Sequence, residues 1–283
     1  MKRNESSPLR EILAAQDTIE QLNALTEPEK HGLDPMLNQL HMRSLASTKE
    51  TWDHSFQVLE QGISIAREMG ITPTLVLKTA LLFHDIGKPL TYRNTGGRVT
   101  FHNHEHVGAR IAWQILPGHG YSRREVKEIC ALIRFHMRDH NYSSGHTTDK
   151  AVRKLIRDVT TQAGTSNKLV DGVPTFVKLM ILFRADVTTN NKKLKDRILG
   201  TLDTLQEQVD RIMREDELLA RRPAIDGHQV IKEYGLTPGG DMVGRVMDYL
   251  RTEEGLQLGE AGAWAAAEHI ITHGTAPIFP AAE

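Results

Sequence analysis

The chain has 283 residues, 39% hydrophobic and 25% charged, which is the make-up of a folded globular protein long enough to bury a sizeable core. Lys plus Arg total 35 against 36 for Asp plus Glu, so no global positive field points to nucleic acid. A single cysteine, Cys130, excludes an intrachain disulfide, and 14 histidines are the one unusual count.

The start, Met1-Lys2-Arg3-Asn4-Glu5, has no apolar stretch and does not read as a signal peptide. No apolar run approaches the ~20 residues of a membrane helix, so the expected setting is the cytoplasm with no membrane partner. The dominant period is helical, without a convincing alternating strand or an internal repeat. The expectation is an all-α fold in three parts: an N-terminal helical segment over 1–50, a main domain over 51–215 and a C-terminal helical segment over 216–283.

In chain order, a first helix is expected from Pro8 to Leu25, then an apolar patch at Leu33, Met36, Leu37 and Leu40. The next helix begins near Trp52 and ends at Gly70, with His54, Val58, Gly62 and Ile65 on one face. Thr72-Pro73 opens another, with Pro in the first turn. Its body, Thr74 to Phe83, is apolar nearly all round and therefore central. It delivers His84-Asp85, and Gly87 is expected to stop it. Thr91 to Thr100 reads as a loop. A helix from His104 to Leu116 ends at Pro117-Gly118, and Ser122-Arg123-Arg124-Glu125 has capping-box form. Val126, Ile129, Ile133 and His136 form the inner stripe of the helix that follows. Ser143 to Thr148 is a loop, Asp149 to Val159 a helix and Thr160 to Pro174 a polar linker. Phe176 to Val187 is helical, with Leu179, Leu182 and Asp186 on one face. A long amphipathic helix runs through Leu194, Ile198, Leu202, Leu205, Val209 and Ile212 until Arg222-Pro223 breaks it. Gly227–Tyr234, Met242–Thr252 and Glu260–Ile271 read as short helices before a loose tail.

Several of these helices bring one ligand-type residue onto an apolar face: His54, Asp85, His104, His136 and Asp186. Such a residue is costly in a core unless it is paired or bound to metal. One histidine alone is more often a hydrogen-bonded core residue, and an adjacent His-Asp occurs often by chance. The string Leu81-Leu82-Phe83-His84-Asp85-Ile86-Gly87-Lys88, with Arg184-Ala185-Asp186 far downstream, favours convergence on a divalent cation. A mixed His/Asp site suits Mn, Fe, Co, Ni, Zn or Mg.

His54, His84-Asp85 and Asp186 resemble the ordered motif of the HD superfamily of metal-dependent phosphohydrolases. The similarity extends to the HD and helical body region of bacterial CCA-adding tRNA nucleotidyltransferases. It is carried by Phe101-His102-Asn103-His104-Glu105-His106-Val107-Gly108-Ala109, by Arg184 to Asn191 and by Ile225-Asp226-Gly227, and it covers about residues 30–272. Those enzymes also carry a nucleotidyltransferase head with paired aspartates on a strand. No such pair precedes Asp53, and Gly239-Gly240-Asp241 reads as a turn and helix cap, so CCA addition is not expected of this chain.

The resemblance implies one divalent ion held by His54, His84, Asp85 and Asp186, and in two-metal members a second ion bridged by Asp85. His104 and His136 are the candidates for that second ion. His102, His106 and His140 are less favoured, since their spacing turns them away from the inner stripes. Asp85 is also a catalytic candidate. Lys88 is placed to reach a phosphate oxygen, or is simply a solvated lysine past a helix end. Glu105 could orient a ligand or water, or be an exposed acid in a first helical turn. Two basic clusters, Arg123, Arg124, Lys127, Arg134 and Arg138, and Lys150, Arg153, Lys154 and Arg157, have the spacing of solvated helix faces. The implied substrate is a small phosphoester, favoured as a nucleotide: a 2′,3′-cyclic phosphodiester or a nucleoside monophosphate. The alternatives are an HD-type di-iron oxygenase and a non-catalytic tRNA-binding body that partners a separate nucleotidyltransferase.

Overall fold

The computed structural model describes residues 7–25, 29, 33, 51–138, 147–165, 170–220 and 222–277. The expectations at Met36, Leu37, Leu40, His140, the Ser143–His146 part of the loop and the last six residues lie outside the described residues. The chain divides into two compact units, Met1–Gln208 and Val209–Glu283.

The first unit begins with α1 (Pro8–Ala14) and α2 (Thr18–Ala24). A single helix from Pro8 to Leu25 does not form. Thr18 Oγ1 donates to the Ala15 carbonyl at 2.8 Å and Lys78 Nζ donates to the same oxygen at 2.6 Å. Side chains thus take the acceptor at which the helix stops. α3 (Thr51–Glu68) is closed by Gly70 at φ 71°, where Ile71 N–H donates to Ala66 O at 2.8 Å. α4 (Leu75–Phe83) is capped by Thr74, whose Oγ1 accepts from Leu77 N–H at 3.2 Å. Pro73 therefore precedes the cap and is not in the first turn. Every α4 residue from Val76 to Phe83 is buried, as its apolar run requires.

A short α5 (Lys88–Thr91) leads into the antiparallel strands β1 (Arg93–Thr95) and β2 (Arg98–Thr100). This hairpin replaces the expected loop. Gly96 and Gly97 sit at φ 60° and 88°, the pair of positive angles that a two-residue hairpin turn needs. The Gly-Gly signal was present, but the flanking residues are polar and almost all exposed, with no alternation to betray a strand. Then come α6 (His104–Ile115), a 3-10 turn over Leu116–His119 and α7 (Arg123–Phe135), which carries the full Ser122–Glu125 capping box. α8 (Asp149–Ala163) runs past Val159 to a left-handed Gly164. The described part of the expected linker is tied down: Thr165 Oγ1 lies 2.7 Å from Thr175 Oγ1. α9 (Thr175–Ala185) and the long α10 (Lys192–Ala220) follow.

α4 packs against α1, α3, α7 and α9, while α6 packs on α5 and α7. Leu81, Leu82, Phe83, Ile86, Ile129, Leu132, Ile133, Leu179 and Leu182 are completely buried. The residues that lead into His84-Asp85, His136 and Asp186 are thus the core itself.

The second unit holds α11 (Gly227–Tyr234), α12 (Asp241–Leu250), α13 (Glu253–Gln257) and α14 (Glu260–His273). Gly239 turns at φ 73°, Gly240 caps α12 and Asp241 sits in its first turn, where an acid complements the helix dipole. α14 packs on α12 through Ala263, Ala266, Ala267 and Ile270, whose small side chains join Val243, Val246 and Leu250 in one apolar core. The architecture is all-α apart from the small hairpin. Among the described residues, no helix is long and apolar enough to cross a membrane.

Candidate metal centre

Helix ends build the site. His84, His136 and Asp186 are the C-cap residues of α4, α7 and α9, and Asp85 follows His84. His54 lies in the first turns of α3, and His104 opens α6. Three helix C-termini, each with unpaired carbonyls and the negative end of a dipole, form a setting that favours a cation.

The imidazoles are held by backbone. Nδ1 of His84, His104 and His136 lies 2.8, 2.8 and 2.6 Å from the carbonyl oxygens of Leu81, Phe101 and Ile133, each three residues earlier. A carbonyl only accepts, so each Nδ1 carries a proton and donates it. Each Nε2 is then turned inward. Asn103, at φ 64°, makes the turn that swings His104 into place, and Asn tolerates this left-handed conformation better than most residues.

The inward atoms form a cage. His54 Nε2 lies 3.2 Å from His84 Nε2, 3.3 Å from Asp85 Oδ2 and 3.0 Å from Asp186 Oδ1. His84 Nε2 lies 3.3 and 3.5 Å from the same two oxygens. A tetrahedron with edges of this size has its centre about 2 Å from each corner, the ordinary metal–ligand distance. On the other side of Asp85, Oδ1 lies 3.2 Å from His104 Nε2 and 3.8 Å from His136 Nε2, and those two nitrogens are 3.1 Å apart. The structure therefore brings six of the sequence candidates into two trios, His54/His84/Asp186 and Asp85/His104/His136, joined by the Asp85 carboxylate.

The donor set fits a cation. Two inward Nε2 lone pairs 3.1 Å apart repel each other unless a cation or a shared proton separates them. Asp85 Oδ2 is buried, and imidazole nitrogens and the Lys88 ammonium lie against it. A buried carboxylate needs such positive partners or a bound ion.

Gly87 makes the junction possible. A Cβ there would lie 2.1 Å from His104 O and 2.6 Å from Gly108 N, both backbone atoms. Its own φ is −80°, and α4 has already ended at Phe83 with His84 as its C-cap, so Gly87 is not the residue that stops the helix. Its role is the close approach of the His84–Gly87 turn to α6, which puts His104 against Asp85.

Residues 51–191 match the HD domain family. That segment is an HD domain. HD domains belong to a superfamily of metal-dependent phosphohydrolases, and their metal centres take divalent ions. The chain is also similar to the A-adding tRNA nucleotidyltransferase of Deinococcus radiodurans, at 27% identity over 216 residues, covering 74% of this chain and 44% of that enzyme. The CC-adding tRNA nucleotidyltransferase of Thermus thermophilus matches at 27% over 201 residues, 70% of this chain and 39% of the relative. The chain spans less than half the length of either relative.

Charge within the HD domain centre is tightly coupled. Burial opposes a charge on His84, but Asp85 and Asp186 outweigh it and push its pKa up to about 10. Burial likewise opposes a charge on His54, and hydrogen bonds to Asp186 and Asp85 raise it overall. Burial alone would raise Asp85 and Asp186. The His84 imidazolium beside both, with Lys88 beside Asp85, instead holds each well below the usual carboxylate range. Burial and the positive His84 push His136 down to about 3. Without an ion, the His84 proton and the Lys88 ammonium offset the charge of the two carboxylates. An ion in the cage displaces that proton.

Access is one-sided. The side chains of His54, Asp186 and Lys88 are 21%, 23% and 22% exposed, whereas His104 is 8% and His136 1% exposed. Lys88 stands at this mouth, with Nζ against Asp85 Oδ2 and 5.6 Å from the centre of the Phe101 ring. Glu105 lies behind His104: its carboxylate is 3.7 Å from Nδ1 and 3.6 Å from His106 Nε2. Phe101 O, not Glu105, holds the His104 ring. His106 is 43% exposed and His102 is exposed, both outside the trios. Two contributors escaped the sequence reading. Thr188 Oγ1 lies 3.3 Å from His54 Nδ1, and the backbone carbonyls hold the other rings. No residue-type signal marks a carbonyl, but the offset of three residues at a helix end does.

Proposed function

We propose that the HD domain hydrolyses a phosphoester of a nucleotide, with a 2′,3′-cyclic phosphodiester or a nucleoside monophosphate as the favoured forms. The observation that carries this reading is the pair of trios joined by the Asp85 carboxylate, open on the side where Lys88 stands. His54, His84, Asp85 Oδ2 and Asp186 would hold one divalent ion, and Asp85 Oδ1, His104 and His136 a second. Bound divalent ions supply hydroxide near neutral pH and polarise a phosphoryl oxygen. The chain's own residues do the rest. Helix ends fix the ligand nitrogens, burial keeps bulk water from the inner trio, and Lys88 can swing from Asp85 to a substrate oxygen and neutralise it. Glu105 is placed to buttress His104 from outside. Mn, Mg, Ni, Co, Fe and Zn all suit the donor set.

Elemental analysis of the purified chain, run beside a phosphatase and phosphodiesterase panel with and without oxygen, tests the reading. One or two ions per chain and phosphoester turnover that survives strict exclusion of oxygen are expected. Iron with oxygen consumption and no ester cleaved would replace hydrolysis by di-iron oxygenase chemistry.

The similarity to two tRNA nucleotidyltransferases supports a second reading, a tRNA-binding body that works with a separate nucleotidyltransferase. Titration of tRNA at several salt concentrations tests it. Specific binding with a steep salt slope would favour it, and weak non-specific binding would dismiss it.

A further inference from the structure

A second group of charged side chains is buried away from the ligands. Lys178 Nζ on α9 donates to Glu128 Oε1 on α7 at 2.8 Å, and both side chains are 0% exposed. Asp171 Oδ1 lies 2.5 Å from the same ammonium. Thr175 Oγ1 donates to Glu128 Oε1 at 2.7 Å and meets Thr165 Oγ1 at 2.7 Å. None of these residues is a member of either trio.

Their register ties them to the trios nonetheless. Glu128 precedes His136 by 136 − 128 = 8 residues, and Lys178 precedes Asp186 by 186 − 178 = 8 residues. Both ligands cap the C-termini of the helices that carry the pair, and those helices pack on each other. Eight residues of α-helix rise about 12 Å, so a contact that levels Glu128 with Lys178 also levels His136 with Asp186. A slip of one residue in either helix would move its ligand by about 1.5 Å and turn it by about 100°. His136 belongs to one trio and Asp186 to the other.

We infer that the Glu128–Lys178 pair is a positioning device that sets the register of α7 against α9 and so the spacing between the two ligand trios. The inference rests on the metal-centre reading above. Stability alone does not account for the group. Glu128 Oε2 and Asp171 Oδ2 are buried without hydrogen-bond partners among the described residues. Buried ion pairs are frequently no more stabilising than apolar residues of similar volume, and setting a register is their best-attested use. Leu or Met at these positions would fill the same space yet tolerate sliding.

The test compares the wild-type chain with Glu128→Leu/Lys178→Met, Lys178→Arg and Thr175→Val. Two quantities are measured. One is Mn²⁺ stoichiometry and affinity by equilibrium dialysis. The other is amide exchange, in metal-free protein, of the last turns of α4, α7 and α9. The double variant should keep a melting temperature close to wild type. It should bind one of two ions at least tenfold more weakly, and its α7 and α9 turns should exchange at least tenfold faster while α4 is unchanged. Thr175→Val, which keeps both charges and serves as the test if the double variant does not fold, should show the same changes in smaller measure. Lys178→Arg should remain nearer to wild type. A folded double variant with wild-type ion affinities and wild-type exchange would overturn the inference, as would equal effects in Lys178→Arg. If wild-type protein bound no Mn²⁺ the metal reading would fail by itself, and the exchange measurement would still decide whether the pair sets the register.

Discussion

The two compact units are built from the same material and differ in what they bury. Among the described residues, the second unit buries apolar side chains and the Tyr249 ring, but no carboxylate, ammonium or imidazole. The first unit buries Lys78, His84, Asp85, His104, Glu128, His136 and Lys178. Each such group carries a desolvation cost that an apolar residue avoids. Burial of charge therefore separates an apolar helical core from the unit that gathers the candidate metal ligands. The second unit shows that this chain can make a helical core without that expense.

Breaking the shared carboxylate should give the largest contrast. Asp85→Ala removes a member of one trio and the carboxylate oxygen that faces the other, so metal content should fall to background. Phosphoester turnover should drop by ~10³-fold or more, about 4 kcal/mol of transition-state stabilisation. Circular dichroism should report an intact helical fold, and full ion occupancy in this variant would refute the ligand assignment. The matching cut in the second unit is Ile270→Ala, at a side chain only 2% exposed in the Ala-rich core. It should cost about 2–4 kcal/mol of stability, seen in denaturant unfolding, and leave the ion count per chain untouched. Loss of metal in that variant would show that the division of labour is wrong. Gly87→Ala falls between the two kinds of change. Its Cβ meets two backbone atoms that have no rotamer to offer, so the turn must retreat from α6. A loss of about 1–3 kcal/mol is expected, together with weaker binding at the Asp85/His104/His136 trio and near-normal binding at the other. Uniform loss from both trios, measured by dialysis, would argue against Gly87 as the junction.

The same contrast explains what could be read from the sequence. His54, Asp85, His104, His136 and Asp186 were legible because each interrupts an apolar face at helical spacing, and His84 through the His-Asp string and the resemblance it carries; the structure brings all six together. The α7 capping box was legible because Ser122 and Glu125 are local partners. The break after Ala14 was not, since it depends on Lys78, 63 residues from the Ala15 carbonyl that it claims. The hairpin was missed because its strands are three residues long and mostly exposed, so burial imprinted no alternation on them. Gly87 was assigned to the wrong cause. A glycine after a helix suggests a helix stop, whereas here the missing Cβ serves a neighbour 17 residues on, at His104. Local physics was readable, and contacts set by tertiary approach were not.

The smallest expected effect is a pH dependence confined to the first unit, with opposite signs in the free and loaded states. In metal-free protein the His84 pKa rises from 6.5 to about 10 because Asp85 and Asp186 surround it. A raised pKa means stabilisation that is complete below about pH 6.5 and is lost as pH rises through about 10. Asp85 and Asp186 have folded values well below 3.8, so their contribution is present above about pH 4 and is lost on acidification. His136, lowered from 6.5 to about 3 by burial, contributes stability that is present above about pH 6.5 and is lost as pH falls. The metal-free first unit should therefore be most stable near pH 6.5 and should soften both on acidification and toward pH 9. An ion replaces the proton on His84, so its affinity should strengthen over that same alkaline range. Scanning calorimetry at pH 6, 7.5 and 9, in EDTA and in Mn²⁺, should show the two melting temperatures diverging by a few degrees, on the order of 1 kcal/mol. The second unit supplies the internal control. Its shifted groups, Tyr234 and Tyr249, have values raised above 10.0, so they do not titrate in this window. Asp85→Ala should flatten the divergence, since it removes both a carboxylate that holds the His84 proton and a ligand that replaces it. Parallel melting curves in EDTA and Mn²⁺ across the whole range would mean that protons and metal do not compete for these nitrogens, and the cage would then be a structural ion-pair network.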